Sequence, residues 1–221
     1  MSETALDALL AAIRACRVCV EAPRGAPLPH APRPVLQVSA TARILVASQA
    51  PGTRVHESGR PFTDASGDRL RAWMGIDAST FYDASRIAIA PMGFCFPGQD
   101  AKGADLPPRR ECAATWHDAL FAALPRFALV LAVGRPAQAY HLRRLGLAAH
   151  AGEGLTQTVA AWRAVRAAGA RLDRPVILYP LPHPSWRNTG WLKRHPFFEQ
   201  ELLPELKADI DRALHAPAEA C

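Results

Sequence analysis

Four of the five cysteines fall as Cys16-x2-Cys19, then Cys95 and Cys112 with sixteen residues between the last two. A close pair near the N-terminus and a distant pair in mid-chain can hold one metal centre only if the fold brings them together. The spacing therefore constrains the tertiary structure before any element is assigned. In a reducing compartment structural disulfides are rare, and clustered thiols there more often bind metal than pair with each other. The first residues point to such a compartment: Glu3 and Asp7 precede any arginine and no small-residue cleavage site follows. No secretory signal is expected, and the chain is expected in the cytoplasm. No apolar run approaches the roughly 18 residues of a membrane span, so no membrane partner is expected. From the residues alone the metal stays open, because four thiolates satisfy either tetrahedral zinc or a [4Fe-4S] cluster. Cys221, the fifth cysteine, is expected to be a free thiol.

The chain of 221 residues is 49% hydrophobic and 21% charged, which suits one domain over residues 1–221 with a real core. Residues 1–40, a helix over Thr4–Ala15 followed by the Cys-x2-Cys pair and a proline-rich loop, are expected to pack on it. Four short apolar runs read as buried strands: Arg43–Ala47, Arg86–Ala90, Phe127–Val133 and Val176–Tyr179. Helical patterns lie between and after them, over Gly67–Met74, Arg110–Leu124, Pro136–Leu145, Thr156–Ala168 and Pro196–Leu214. Continuous apolar strands alternating with helices indicate a parallel sheet covered on both faces. The predicted class is α/β, a three-layer sandwich around a central, mostly parallel four-stranded sheet.

In such sheets ligands bind where loops leave the carboxyl ends of the strands. Those loops contain Ser48-Gln49-Ala50-Pro51-Gly52 and Gly59-Arg60-Pro61-Phe62, then Met92-Gly93-Phe94-Cys95, and finally Pro182-His183-Pro184-Ser185. A Pro-Gly turn lets backbone amides approach a ligand, a phenylalanine offers a stacking face, and a histidine between prolines is held rigidly. Such a set suits a flat heterocycle. The formal charge is +6, and no acid occurs between Asp173 and Glu199, where Arg174, Arg187, Lys193 and Arg194 alternate with Trp186, Trp191 and His195. Cations attract phosphate without sequence preference and flat rings stack on bases; a solvated basic face is the plain alternative.

Taken together and in this order, these motifs resemble the uracil-DNA glycosylase superfamily, in particular its iron–sulfur families four and five. There a strand leads into a Gly-Glu-Ala-Pro-Gly or Gly-Leu-Ala-Pro loop, then Gly-Arg-Pro-Phe, and a late strand ends in His-Pro-Ser. Here the matches are Gln49-Ala50-Pro51-Gly52, Gly59-Arg60-Pro61-Phe62 and His183-Pro184-Ser185, with Cys16, Cys19, Cys95 and Cys112 in the positions of the family's cluster ligands. The resemblance runs from about Leu9 to Leu206. It implies a uracil-DNA glycosylase-like fold and a structural [4Fe-4S] cluster on the four cysteines in preference to zinc.

The resemblance also implies roles. Phe62 would stack on an extruded base and the backbone around Gln49, Ala50, Pro51 and Gly52 would read its edge. His183 would donate to the oxygen that becomes negative on the leaving base, Ser185 would hold a phosphate, and Trp186 with Arg187 would fill the hole left in the duplex. Asn188 matches the His-Pro-Ser-x-x-Asn form of family five. The departures are as informative. Gln49 and Val55 stand where family four has glutamates, and Ala50 where the best-known members have an aspartate. Ala90 replaces an asparagine that pairs with the uracil amide. The carboxylate that family five carries just after Gly-Arg-Pro-Phe-Thr is matched one residue early by Asp64, the leading candidate for ordering water, with His56 and Glu57 behind it. Asp64 equally suits an N-cap of the following helix.

The expected activity is hydrolysis of the N-glycosidic bond of uracil, extending to other deaminated bases in DNA because the Ala90 position lacks a reader. The enzyme is expected to be a monomer and monofunctional, since no lysine stands in residues 48 to 66 to form a Schiff base. The alternative is a catalytically weak or inactive binder of damaged DNA with the same fold. A covalent sugar trap through His56 is disfavoured, because the chain lacks the Lys-Arg-Arg-Ile-His insertion of that branch.

Overall fold

In the computed structural model, which describes residues 3–216, the four apolar runs form one sheet. The strands are β1 (Ile44–Ala47), β2 (Ile87–Ile89), β3 (Leu129–Val133) and β4 (Ile177–Leu181). Their order is β2-β1-β3-β4 and every pairing is parallel, with Ile44 opposite both Ile87 and Leu129, and Leu129 opposite Ile177. β4 runs two residues beyond the predicted Tyr179 and takes in Pro180. Proline is tolerated there because β4 is an edge strand, where one side needs no amide donor. Cys221 lies outside the described residues.

Side chains alternate between two apolar layers, as the period of a strand requires. Ile44, Val46, Leu129 and Leu131 face one core with Leu70, Trp73, Leu206 and Ile210. Leu45, Ala47, Val130 and Ala132 face the other with Leu6, Leu10, Ile13, Leu120 and Leu142. The helices are α1 (Glu3–Arg14), α2 (Thr53–Ser58), α3 (Ala65–Met74), α4 (Asp118–Ala123), α5 (Arg135–Arg144), α6 (Trp162–Ala170) and α7 (Leu203–His215). All but α2, which borders a cleft at the carboxyl ends of the strands, supply these layers. The three-layer α/β architecture is the one read from the sequence.

Three helices differ from their predicted form. The Arg110–Leu124 pattern is broken by a π-helical turn, Ala113–His117, between Arg110–Cys112 and α4. The Thr156–Ala168 pattern divides at Ala161 into Leu155–Ala160 and α6. Ahead of α7 the chain widens into a π-turn at Phe198–Leu202. Pro204 has no amide hydrogen for the carbonyl one turn back, and the wider turn accommodates that missing bond. The short helix α2 was not anticipated at all.

A buried ionic cluster fastens α6, β4 and α7 together. Asp209, 1% exposed, accepts from Arg166 Nε at 2.6 Å and Nη2 at 3.0 Å, from the Tyr179 hydroxyl at 2.6 Å, and from Arg212. No helix among the described residues is long and apolar enough to cross a membrane. The strand order reverses beside β1, and at such a switch point a crevice opens outside the carboxyl ends of the strands.

Candidate active site and cysteine cavity

That crevice is a cleft of about 470 Å³ walled by the segments that follow β1, β2 and β4. Its size falls in the range of small-molecule sites. Ala50, Pro51 and Gly52 line it from the first loop, Phe62 and Asp64 from the second, and His183, Ser185, Trp186 and Arg187 from the segment after β4. Phe62 and His183, more than 100 residues apart in sequence, thus share one cavity.

Phe62 has a left-handed backbone, φ 54°, unusual for a bulky residue. Gly59, at φ 70°, ends α2 and turns the chain toward it. The Phe62 carbonyl accepts from the Tyr82 hydroxyl at 3.0 Å and from Arg71 at 3.4 Å. Gly67 presses on the same carbonyl so closely that a Cβ there would fall 1.8 Å from its oxygen. The ring meets Phe81 edge-to-face at 6.0 Å. Surroundings that hold a strained residue from several sides are a feature of ligand sites.

His183 is half-buried, between Pro182 and Pro184, and its carbonyl accepts from Asn188 Nδ2 at 2.7 Å. Burial pushes its pKa down, while the charges of Asp64 and Asp105 pull the other way. The imidazole is therefore neutral at pH 7 and carries one N–H that can donate. Ser185 is fixed by Arg69, which donates to its carbonyl at 2.9 Å. Trp186 is 76% exposed at the lip of the cleft, with the Arg187 guanidinium 5.7 Å from its ring centroid. Asp64 caps α3: its Oδ1 accepts from the amides of Ser66 at 3.1 Å and Gly67 at 3.2 Å.

Other residues singled out in the sequence lie outside the cleft lining. The Gln49 side chain turns toward Gly134, where a Cβ would come within 2.6 Å of Nε2. Ala90 is fully buried in the core layer containing Leu45. His56 packs against His30 at 4.2 Å and Phe96 at 6.0 Å, and burial is the main force lowering its pKa. The carbonyls of His56 and of exposed Glu57 both accept from Arg33. Asn188 acts through the His183 backbone. Conversely, Asp105, Gln99, Arg54 and Arg69 line the cleft without having been anticipated. The glycines Gly98 and Gly103 in the sequence signal a turn inside the Cys95–Cys112 interval, and both adopt positive φ, but nothing local places Asp105 over the cleft.

The four cysteines converge as their spacing demanded. Cys16, Cys19, Cys95 and Cys112 line a single largely apolar cavity together with Phe94 and Trp116. The Phe94 amide donates to Cys112 Sγ and Trp116 Nε1 to Cys16 Sγ, each at 3.2 Å. Burial pushes the Cys95 thiol up to about 11 and raises Cys19 and Cys112 as well, so ionisation there calls for a compensating cation. Among the described residues no group of three or more His, Cys, Asp or Glu side chains gathers tightly enough for a single metal ion. A lone zinc would need the sulfurs about 3.8 Å apart, given Zn–S bonds of about 2.3 Å. A cluster bonded to one thiolate at each iron tolerates a wider ring of sulfurs, and four cysteine thiols around one cavity are a donor set such a group can use. A model of the uracil DNA glycosylase superfamily matches residues 36–207.

Proposed function

The chain belongs to the uracil DNA glycosylase superfamily, and from that premise we propose that it is a monofunctional DNA glycosylase. Its proposed substrates are uracil and other deaminated bases in DNA, and its place of action is the cytoplasm. The observation that carries this reading is the shared cleft of Phe62 and His183 at the carboxyl ends of the strands.

Breaking a glycosidic C–N bond builds positive charge on the sugar and negative charge on the base. The base must first leave the stack. Exposed Trp186 is suited to enter the gap, and Arg187, Arg54 and Arg69 give the cleft a cationic border for phosphate. Inside, Phe62 offers a fixed ring face, and Gly52 leaves backbone open to the base edge. The neutral His183 imidazole donates toward the oxygen where charge accumulates, an interaction that strengthens as the bond breaks. A water must then reach the sugar carbon beside an acceptor. The cleft lining supplies two carboxylates for that purpose, Asp64 and Asp105. With Ala90 buried and no amide reader in its place, the pocket has less means of rejecting other deaminated bases.

Within this reading Cys16, Cys19, Cys95 and Cys112 hold a [4Fe-4S] cluster whose contribution is structural. The amide of Phe94 and the indole of Trp116 donate to the sulfurs of Cys112 and Cys16, which would hold it. Iron and sulfide content, with visible absorbance of anaerobically purified protein, checks the assignment; one zinc per chain and no iron would overturn it.

A second reading, a binder of damaged DNA without turnover, is favoured by Gln49, Ala50 and Val55, which leave the first loop without a carboxylate. Incubation with uracil-containing single-stranded DNA followed by alkali separates the two. Strand breaks that vanish in His183→Ala support the enzyme, whereas binding without breaks supports the binder.

A further inference from the structure

The 98–106 hairpin puts a carboxylate over the cleft from a segment to which no role has been given. Asp105 pairs with Gln99 in an antiparallel bridge, and the Leu106 amide donates to the Gly98 carbonyl at 2.9 Å. At the tip, Asp100 Oδ1 accepts from the amides of Lys102 and Ala104, each at 2.9 Å, so the turn is closed on itself. The hairpin base rests on the proline-rich loop, where Pro29 comes within 3.1 Å of where a Cβ on Gly98 would stand. Asp105 Oδ1 accepts from Gln99 Nε2 at 3.1 Å. Its Oδ2 points across to Gly52, where even a Cβ would approach to 3.3 Å.

The two carboxylates of the cleft lining differ in how they are held. Asp64 takes two backbone amides at the start of α3, both on Oδ1, so its side chain is fixed as the helix cap. Among the described residues its Oδ2, like that of Asp105, accepts no hydrogen bond, and what separates the two is the firmer anchoring of Asp64 to the backbone. Asp105 has one neutral amide partner on one oxygen and keeps the other free toward the cleft. It also faces the loop from which every familiar carboxylate is missing.

We propose that Asp105 is the catalytic carboxylate of this chain, the group that orders and deprotonates the attacking water, with Gln99 as its positioning residue. This rests on the glycosylase reading above. In the step, the water oxygen bonds to the sugar C1′ while the C1′–N bond breaks and its electron pair leaves with the base. The water proton passes to the Asp105 carboxylate and then to solvent, and the base anion, held by the His183 N–H, later takes a proton from solvent. No redox partner is needed. The electrostatic influence of Asp105 on His183 is consistent with both facing one reaction centre.

The test is single-turnover release of uracil and hypoxanthine from single-stranded oligonucleotides by the full-length protein. Asp105→Asn is expected to slow release about 100-fold or more, with affinity for abasic-site DNA and the thermal midpoint unchanged, and to remove the acidic inflection of the pH–rate profile. Gln99→Leu is expected to lose about tenfold while keeping that inflection. An Asp105→Asn rate within threefold of wild type, beside an active wild type, overturns this assignment and leaves the glycosylase reading standing. A wild type that releases no base overturns both. Should Asp105→Asn unfold, Asp105→Ala with added formate decides: recovered release supports the role and no recovery overturns it.

Discussion

The Asp209 cluster behind the sheet and the cleft at its carboxyl end use the same residue types to opposite effect. Asp209 is enclosed, and Arg166, Tyr179 and Arg212 take up its oxygens. Asp105 stands at the surface with one partner and an open oxygen. A carboxylate whose acceptor capacity is filled holds elements together; one with capacity in reserve can act on a ligand. The same contrast separates the histidines. His117 and His141 are buried in the second layer with an exposure of 0%, whereas His183 opens on the cleft.

The sharpest way to break this comparison is at Asp209. Asp209→Ala leaves the fully buried Tyr179 hydroxyl without its acceptor, while Arg166, a third exposed, keeps Glu205 at 3.8 Å. A buried donor left unsatisfied costs about 1–3 kcal/mol. Denaturant unfolding should show a loss of that size, while base release by the folded fraction stays at the wild-type rate. Burial pushes the Asp209 carboxyl up, but the bonds from Arg166 and Tyr179 outweigh it and the net direction is down. Its contribution is thus complete above the ordinary carboxylate range and is lost as pH falls through the lower folded value. A loss below 1 kcal/mol would erase the distinction between the two regions.

His183→Ala should behave in the reverse way. Removing one donor to a developing anion slows chemistry about 10²–10³-fold, read in single-turnover release, with unfolding free energy almost unchanged. Because Asp64 and Asp105 raise the His183 pKa against the effect of burial, removing the Asp105 charge should move the titration of His183, followed by NMR, to lower pH.

The interior histidines sharpen the contrast through pH. Burial pushes His117 down to about 4 and His141 down to about 3, so the fold holds both neutral while the unfolded chain takes up protons below its ordinary value of about 6.5. Stability is complete above that value and falls with pH by about 1.4 kcal/mol per unit for each group until the folded pKa is reached. Urea midpoints between pH 7 and 5 should follow that slope, and His141→Phe should flatten it by one proton.

What the sequence disclosed and what it hid divide along physical lines. The strands were legible because a sheet covered on both faces demands unbroken apolar runs such as Leu129–Val133. The convergence of Cys16 and Cys19 on Cys95 and Cys112 was legible because their spacing matches the four-cysteine pattern of the family the chain resembles. Phe62 and His183 were legible because Gly59-Arg60-Pro61-Phe62 and His183-Pro184-Ser185 are short motifs in loops that follow apolar strands, where such sheets bind ligands. Asp105 was not, since its position depends on how a hairpin folds back over Gly52, a long-range contact that no local pattern encodes. The Gln49 and His56 side chains face away from the cleft for similar reasons: α2 begins at Thr53 and sets directions that the loop motif alone does not specify.

Asp64 gives the smallest expected effect and separates cap from charge. As an N-cap it binds two amides at the start of α3, and Asp64→Ala should lower stability by about 1 kcal/mol. Asparagine caps nearly as well as aspartate, so Asp64→Asn should retain most of that stability while losing the charge. If Asp105 carries the water, base release by Asp64→Asn stays within tenfold of wild type, because the amide keeps α3 and hence Gly67 and the Phe62 carbonyl in place. If base release collapses in Asp64→Asn while the thermal midpoint holds, the charge on Asp64 is the one the reaction needs, and a carboxylate bound by two amides can be reactive after all. That outcome would remove the rule that acceptor capacity left open distinguishes the cleft from the Asp209 cluster.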